Sequence, residues 1–118
     1  MRTVFEAAQQ LEAVLKTADS RLRFYTIGDN LAPPAVLLGA PQLTWGTYGP
    51  APTTATFPVF LIVDLDSRAL ERLWQLVGPV TAAIDTVPDA VVQSADPGMY
   101  PTGSQNLPSY SLSVEVSL

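Results

Sequence analysis

The run T-F-P-V-F-L-I-V-D-L at residues 56–65 is the longest apolar stretch in the chain and the strongest constraint on its fold. Both alternating sets are apolar: Phe57, Val59, Leu61 and Val63 in one, Pro58, Phe60 and Ile62 in the other. A strand of this kind is expected at the centre of a sheet, covered on both faces. It is too short to cross a bilayer as a helix, so it belongs to a core. Asp64 and Asp66 end the strand and open a helix.

The elements on either side follow from periodicity. Residues 3–18 place Val4, Ala8, Leu11 and Leu15 at helical spacing, widened by Phe5, Val14 and Ala18, with Glu6, Gln9, Gln10, Glu12 and Lys16 opposite. Thr3 and Glu6 have the spacing of a capping box, in which each side chain satisfies a free N–H of the first turn. Asp19-Ser20 breaks this helix; residues 22–27 read as a short strand and Gly28-Asp29-Asn30 as a turn. Pro33-Pro34 enters a second apolar strand at 35–39, which starts at its prolines because proline donates no ladder hydrogen bond.

Beyond the central strand, Asp66 or Ser67 is expected to cap a helix with Leu70, Leu73, Trp74 and Val77 on one apolar face, Trp74 in the core. Gly78-Pro79 predicts a kink or a break. Val80, Ile84 and Val87 resume the stripe in phase, as in one bent helix, and Pro88 ends it. Residues 90–95 form a fourth strand. Residues 110–118 alternate Tyr110, Leu112, Val114, Val116 and Leu118 with Ser111, Ser113, Glu115 and Ser117, the clearest strand signal in the chain. The serine face is either exposed to solvent or laid against a partner.

Two long segments carry no period and are read as irregular arms, about 40–55 and 96–109. Loops of this length are usually functional or disordered, but a disordered linker rarely contains Trp and Tyr. Trp45 and Tyr48 therefore make the first segment an ordered arm or hairpin. A chain of 118 residues, 47% of them hydrophobic, supports one domain with one core. The expected fold is α+β: a mixed or mainly antiparallel sheet of about five strands with two helices packed on it, in the order α-β-β-β-α-β-β.

The residue inventory restricts chemistry more than it suggests any. There is no His and no Cys, which removes the commonest general base, thiolate metal sites and disulfides. Lys16 is the only lysine and lies on the polar face of the first helix, so no lysine-activated serine is expected. Asp64-x-Asp66 has the residue type for Mg²⁺ but no third acid nearby, and reads as a strand end and helix cap. No glycine has the spacing of a phosphate-binding loop. The chain is read as a non-enzyme without cofactor or metal.

Charge limits the partners. The net charge is −5 with six basic residues, too few for a stripe that grips duplex DNA, although passage of DNA through a repelling channel fits. Only 14% of residues are charged, which implies either a partly covered surface or a neutral one rich in Ser and Thr. Met1-Arg2 leads into an amphipathic pattern, not an apolar signal core, so synthesis and use in the cytoplasm are expected.

Read whole, from about residue 21 onward, the sequence resembles the tail terminator (tail completion, or head–tail joining) proteins of long-tailed phages of actinobacteria. The resemblance rests on Pro33-Pro34 through Pro41 with Leu43, Thr44 and Trp45, and on the strand 57–64. The helix around Leu70 to Ile84 with Trp74, and Gly103, Leu107, Pro108, Ser109 and Tyr110 before an alternating strand, complete it. It implies a structural virion protein at the tail–head junction, assembled in the host cytoplasm. Such proteins form a ring, usually a hexamer, that caps the tail tube and meets the head connector or stopper, with genomic DNA as passing cargo and no membrane partner. The family has no catalytic residues to transfer. A compact domain of this length has a diameter of roughly 35 Å, so six in a ring leave a hole wide enough for duplex DNA.

Alternatives are another neck component, such as a head-completion or stopper protein, and a small cytoplasmic ligand-binding α+β domain. The expected subunit or partner contacts are Gln42, Leu43, Trp45 and Tyr48 in the first arm and Met99, Tyr100 and Leu107 in the second. In both segments apolar residues occur without a regular element to bury them.

Overall fold

A computed structural model describes residues 2–26, 32–46, 49–102 and 106–118. The element order is α1 (Val4–Lys16), β1 (Arg23–Thr26), β2 (Ala35–Leu38), β3 (Gln42–Thr44), β4 (Thr54–Ile62), α2 (Ala69–Asp85), β5 (Ala90–Pro101) and β6 (Asn106–Ser117). The fold is α+β with a mixed six-stranded sheet in the order β1-β2-β4-β6-β5, β3 pairing with β4 beyond the end of β2. Only β1 and β2 run parallel; every other pair is antiparallel. The turn expected at 28–30 lies outside the described residues.

Helix α1 forms where its caps and stripe place it. Thr3 Oγ1 accepts from the Glu6 N–H at 3.1 Å and Glu6 Oε1 accepts from the Thr3 N–H at 3.4 Å, which completes the capping box. Ala7, Leu11 and Leu15 are buried against the sheet. Helix α2 is continuous through Pro79, one helix as the in-phase stripe implied. Proline removes the bond to the carbonyl four residues back, and that carbonyl belongs to Gln75, on the exposed side where water can take it. The expected cap is corrected. Arg68 holds the N-cap position without a side-chain cap bond, while Asp66 Oδ1 accepts from the Arg68 N–H at 2.8 Å one turn earlier.

Both helices lie on one face of the sheet, α1 over the β1 side and α2 over the β5 side. Strand alternation sends Ala55, Phe57, Val59 and Leu61 of β4, with Leu112, Val114 and Val116 of β6, toward the helices, where all are buried. They meet Leu11, Leu15, Leu73, Val80 and Ile84 in one core. The expectation that β4 is covered on both faces therefore holds for one. On the opposite face Pro58 and Phe60 are only half-buried, because two helices are enough to roof a single side of the sheet. Ile62 is buried there, beside its β2 partner Ala35.

The largest departure from expectation is at residues 96–109. Residues 96–101 and 106–109 are strand: β5 and β6 form one long hairpin paired from Ala90↔Val116 to Pro101↔Asn106, with a bulge between Val92 and Ser94. β5 is the edge strand, so the missing N–H groups of Pro97 and Pro101 interrupt no second ladder. Pro108 lies beyond the last β4 rung, Ile62↔Ser109, where its carbonyl accepts from the Val63 N–H at 3.2 Å but no ladder pair needs an N–H from it. Strands of twelve residues span about 40 Å. They stretch the body to 50 × 27 × 21 Å, in place of the roughly 35 Å sphere expected for this length.

Candidate assembly surface

In the first arm β3 pairs with the start of β4 at one end of the sheet. Gln42, Leu43 and Thr44 pair with Thr56, Ala55 and Thr54, and the Thr53 N–H closes on the Thr44 carbonyl at 2.8 Å. Thr53 Oγ1 also accepts from the Gly46 N–H at 2.9 Å. Trp45 is 52% exposed, with its indole N–H donated to the Pro50 carbonyl at 3.2 Å, so the ring is held in place without being buried. Gln42 is exposed and Leu43 packs partly on the core. Tyr48 lies outside the described residues.

The second arm is the tip of the β5–β6 hairpin, at the other end. Met99 is 53% exposed, Tyr100 packs its ring 5.5 Å from that of Phe60 at a 59° tilt, and Leu107 is buried within the protomer. The structure does not bring the two sets of expected contact residues together. They are separated by the length of β4, roughly 26 Å for its nine residues.

Between the arms lies the helix-free face of the sheet. Register and alternation place Thr54 and Thr56 of β4, Ser111, Ser113 and Glu115 of β6, and Ser94 and Asp96 of β5 on it. Glu115 accepts a hydrogen bond from the Gln93 side-chain amide. Strands β4, β5 and β6 contain no Lys or Arg. The result is a mixed surface: small-polar and weakly acidic along these residues, with Pro58, Phe60 and Tyr100 half-buried and Val91 exposed on the same face.

The helix side carries a patch that periodicity misassigned. Leu70 and Trp74, expected in the buried stripe, are 52% and 59% exposed. The stripe that packs is Ala69, Leu73, Leu76, Val80 and Ile84, and Leu70 and Trp74 sit on its flank toward β5. The helical spacing of Ala69 and Leu76 with Leu73 was the signal that separates the two sets. Trp74 donates its indole N–H to the Tyr110 hydroxyl at 3.0 Å, and by register Pro97 and Met99 share the Tyr110 face. Leu70, Trp74, Pro97 and Met99 make an exposed apolar ridge where α2 meets the hairpin.

On the opposite flank, α1 and the β1–β2 corner enclose an open apolar groove of about 630 Å³, lined by Val4, Phe5, Ala8, Phe24, Leu38 and Pro41 among others. Phe5 at its rim is 69% exposed. Lys16, paired with Glu12 at 3.1 Å, holds its ammonium 5.8 Å from the centre of the Phe24 ring.

Two acidic side chains elsewhere, Asp19 and Asp66, are held by arginines. Arg21 donates to both carboxylate oxygens of Asp19, at 2.7 and 3.0 Å, and its backbone N–H adds a third bond at 2.8 Å. These bonds hold the Asp19 carboxyl at about 2, below the usual carboxylate range. Asp66 is lowered first by the Arg68 N–H and then by the Arg72 guanidinium, 2.6 Å away. That guanidinium occupies the carboxylate Asp64-x-Asp66 would need for a cation. Among the described residues, no three His, Cys, Asp or Glu side chains converge as a metal site would require. No helix among them is long and apolar enough to cross a membrane. No protein-family model matches this chain, and no curated protein does.

Proposed function

We propose that this chain is a non-enzymatic virion protein whose copies form a ring, a hexamer, that caps a phage tail tube and joins it to the head connector. DNA passes through the lumen. The observation that carries the reading is the placement of two arms at opposite ends of a sheet face on which β4, β5 and β6 carry no Lys or Arg. One arm is then available to the tube and the other to the head-side partner. The hydroxyl and carboxylate face lines a channel that a polyanion crosses without displacing counterions or sticking.

The dimensions fit this arrangement. With the 50 Å axis along the ring axis, six bodies 27 Å wide and 21 Å deep enclose a hole of roughly 30 Å, wider than a DNA duplex. The sequence resemblance to tail terminators points the same way. The apolar groove beside α1 favours one other reading, a small ligand-binding domain, since its size suits a drug-sized apolar molecule.

Native mass spectrometry with negative-stain imaging, on the free protein and on protein mixed with tail-tube ends, separates the two. Closed rings in either sample support the terminator. Monomers in both, with bare tube ends, would sink it and favour the ligand-binding domain. Rings that bind portal complexes and not tube ends would reassign the protein to a stopper or head-completion role.

A further inference from the structure

We propose that the ring closes edge to edge, with β1 of one copy added to β5 of the next as a continuous antiparallel sheet. This inference rests on the ring reading and names its subunit interface. β1 and β5 are the two edges of the sheet and run in opposite directions. Copies related by rotation about the ring axis therefore present unlike, antiparallel edges to each other. Such a contact is heterologous, and heterologous contacts generate rings when the rotation closes.

Backbone polarity favours this pairing over a two-fold one. The Arg23 N–H donates to the Pro34 carbonyl at 3.2 Å, so alternation turns the Phe24 N–H and carbonyl to the open edge. On the other side, the Val63 N–H donates to the Pro108 carbonyl at 3.2 Å, which directs Pro108 and Tyr110 toward β4. Pro97, opposite Tyr110, therefore turns its carbonyl outward, with no N–H beside it. Pro101 repeats the arrangement four residues on. At these positions the edge accepts and cannot donate, so it pairs poorly with a second β5 but takes the Phe24 N–H. Phe24, Val36, Leu61, Tyr110 and Pro97 form one row across the sheet. With the long axis along the ring axis, Phe24 of one copy faces Pro97 of the next.

Charge completes the match. Arg23 and Asp96 lie on the helix-free face at opposite edges, both exposed. Neither forms an ion pair among the described residues. In this register Arg23 stands opposite Gly98, and Asp96 is its diagonal neighbour, within reach of a long side chain. Nothing lies within 4 Å of where a Gly98 Cβ would be, which leaves the guanidinium room to cross. Pairing like edges would instead bring arginine to arginine or aspartate to aspartate.

The absence of native Cys makes the test direct. Arg23→Cys and Gly98→Cys are prepared as separate proteins and oxidised, alone and mixed, with and without tube ends. Opposite residues of this kind have Cα atoms about 4.5 Å apart, close enough for a disulfide. The expected result is disulfide-linked dimers in the mixture and none from either variant alone. In parallel, Arg23→Glu keeps the monomer's circular dichroism and raises the concentration needed for rings about tenfold, and adding Asp96→Arg to the same chain restores it. Disulfide dimers from one variant alone would overturn the proposal in favour of a two-fold contact. Rings without the mixed disulfide, with Arg23→Glu assembling as wild type, would overturn it and leave the ring reading intact. No rings in any sample, wild type included, would remove both.

Discussion

Gly39 sits against Pro58 so closely that a Cβ at Gly39 would lie 2.7 Å from the Pro58 Cγ, while the Gly39 N–H donates to the Pro58 carbonyl at 2.8 Å. Pro58 is in an interior strand, a position proline rarely holds. It is tolerated because β4 changes partner there: β2 pairs up to Val59 and β3 begins at Thr56. The missing N–H falls in the gap between the two ladders. Gly39→Ala is therefore expected to destabilise by about 1–3 kcal/mol, since the prolyl ring cannot rotate away. Chemical denaturation of the purified variant checks this, and an unchanged midpoint would mean that the β2–β3 corner yields.

Phe57 is the largest fully buried side chain among the described residues, facing both helices from the middle of β4. Phe57→Ala is expected to cost about 3–5 kcal/mol, through lost transfer free energy and the cavity left behind. Against a total stability of roughly 5–15 kcal/mol, that leaves a marginal domain. Thermal melts followed by circular dichroism give the comparison.

Trp45 contrasts with it. Half exposed, with its indole N–H donated to the Pro50 carbonyl, it should leave the monomer folded when changed to Ala, with a loss of no more than about 1 kcal/mol. Assembly on tube ends should weaken. An unfolded Trp45→Ala variant would place Trp45 in the protomer's own core and remove it from the contact surface.

Asp19 sets an acid limit. Its carboxyl, ordinarily at 3.8, is held at about 2 in the folded protein by Arg21. A depressed folded value contributes stability above the unfolded value and loses it as pH falls toward the folded one. Stability should thus decline between about pH 4 and pH 2, and Asp19→Asn should flatten that part of the curve. The exposed Arg21 keeps the effect modest. Urea titrations at intervals across this range measure it.

The Trp74–Tyr110 bond joins α2 to β6 at an exposed corner. Tyr110→Phe removes the acceptor and is expected to cost at most about 1 kcal/mol, because water can replace it. It should shift Trp74 fluorescence. A loss of several kcal/mol would mean that the corner is sealed from solvent.

Much of the fold was legible in the sequence because the relevant physics is local. The Thr3–Glu6 box, the Leu11–Leu15 stripe and the strict alternation from Tyr110 to Val116 each fix an element by its own periodicity. The central place of β4 followed from its double apolar pattern. Tertiary structure decided the rest. Prolines at 97, 101 and 108 break a strand only where a second partner needs their N–H, and edge position and overhang removed that need. Periodicity could not say that both helices share one face, which is why β4 is roofed on one side only. Leu70 and Trp74 lie on the margin of a helical stripe, and whether a margin is covered depends on where the neighbouring strand ends. Local pattern chose the elements, and the position of each beside its neighbours chose which apolar surface stayed outside.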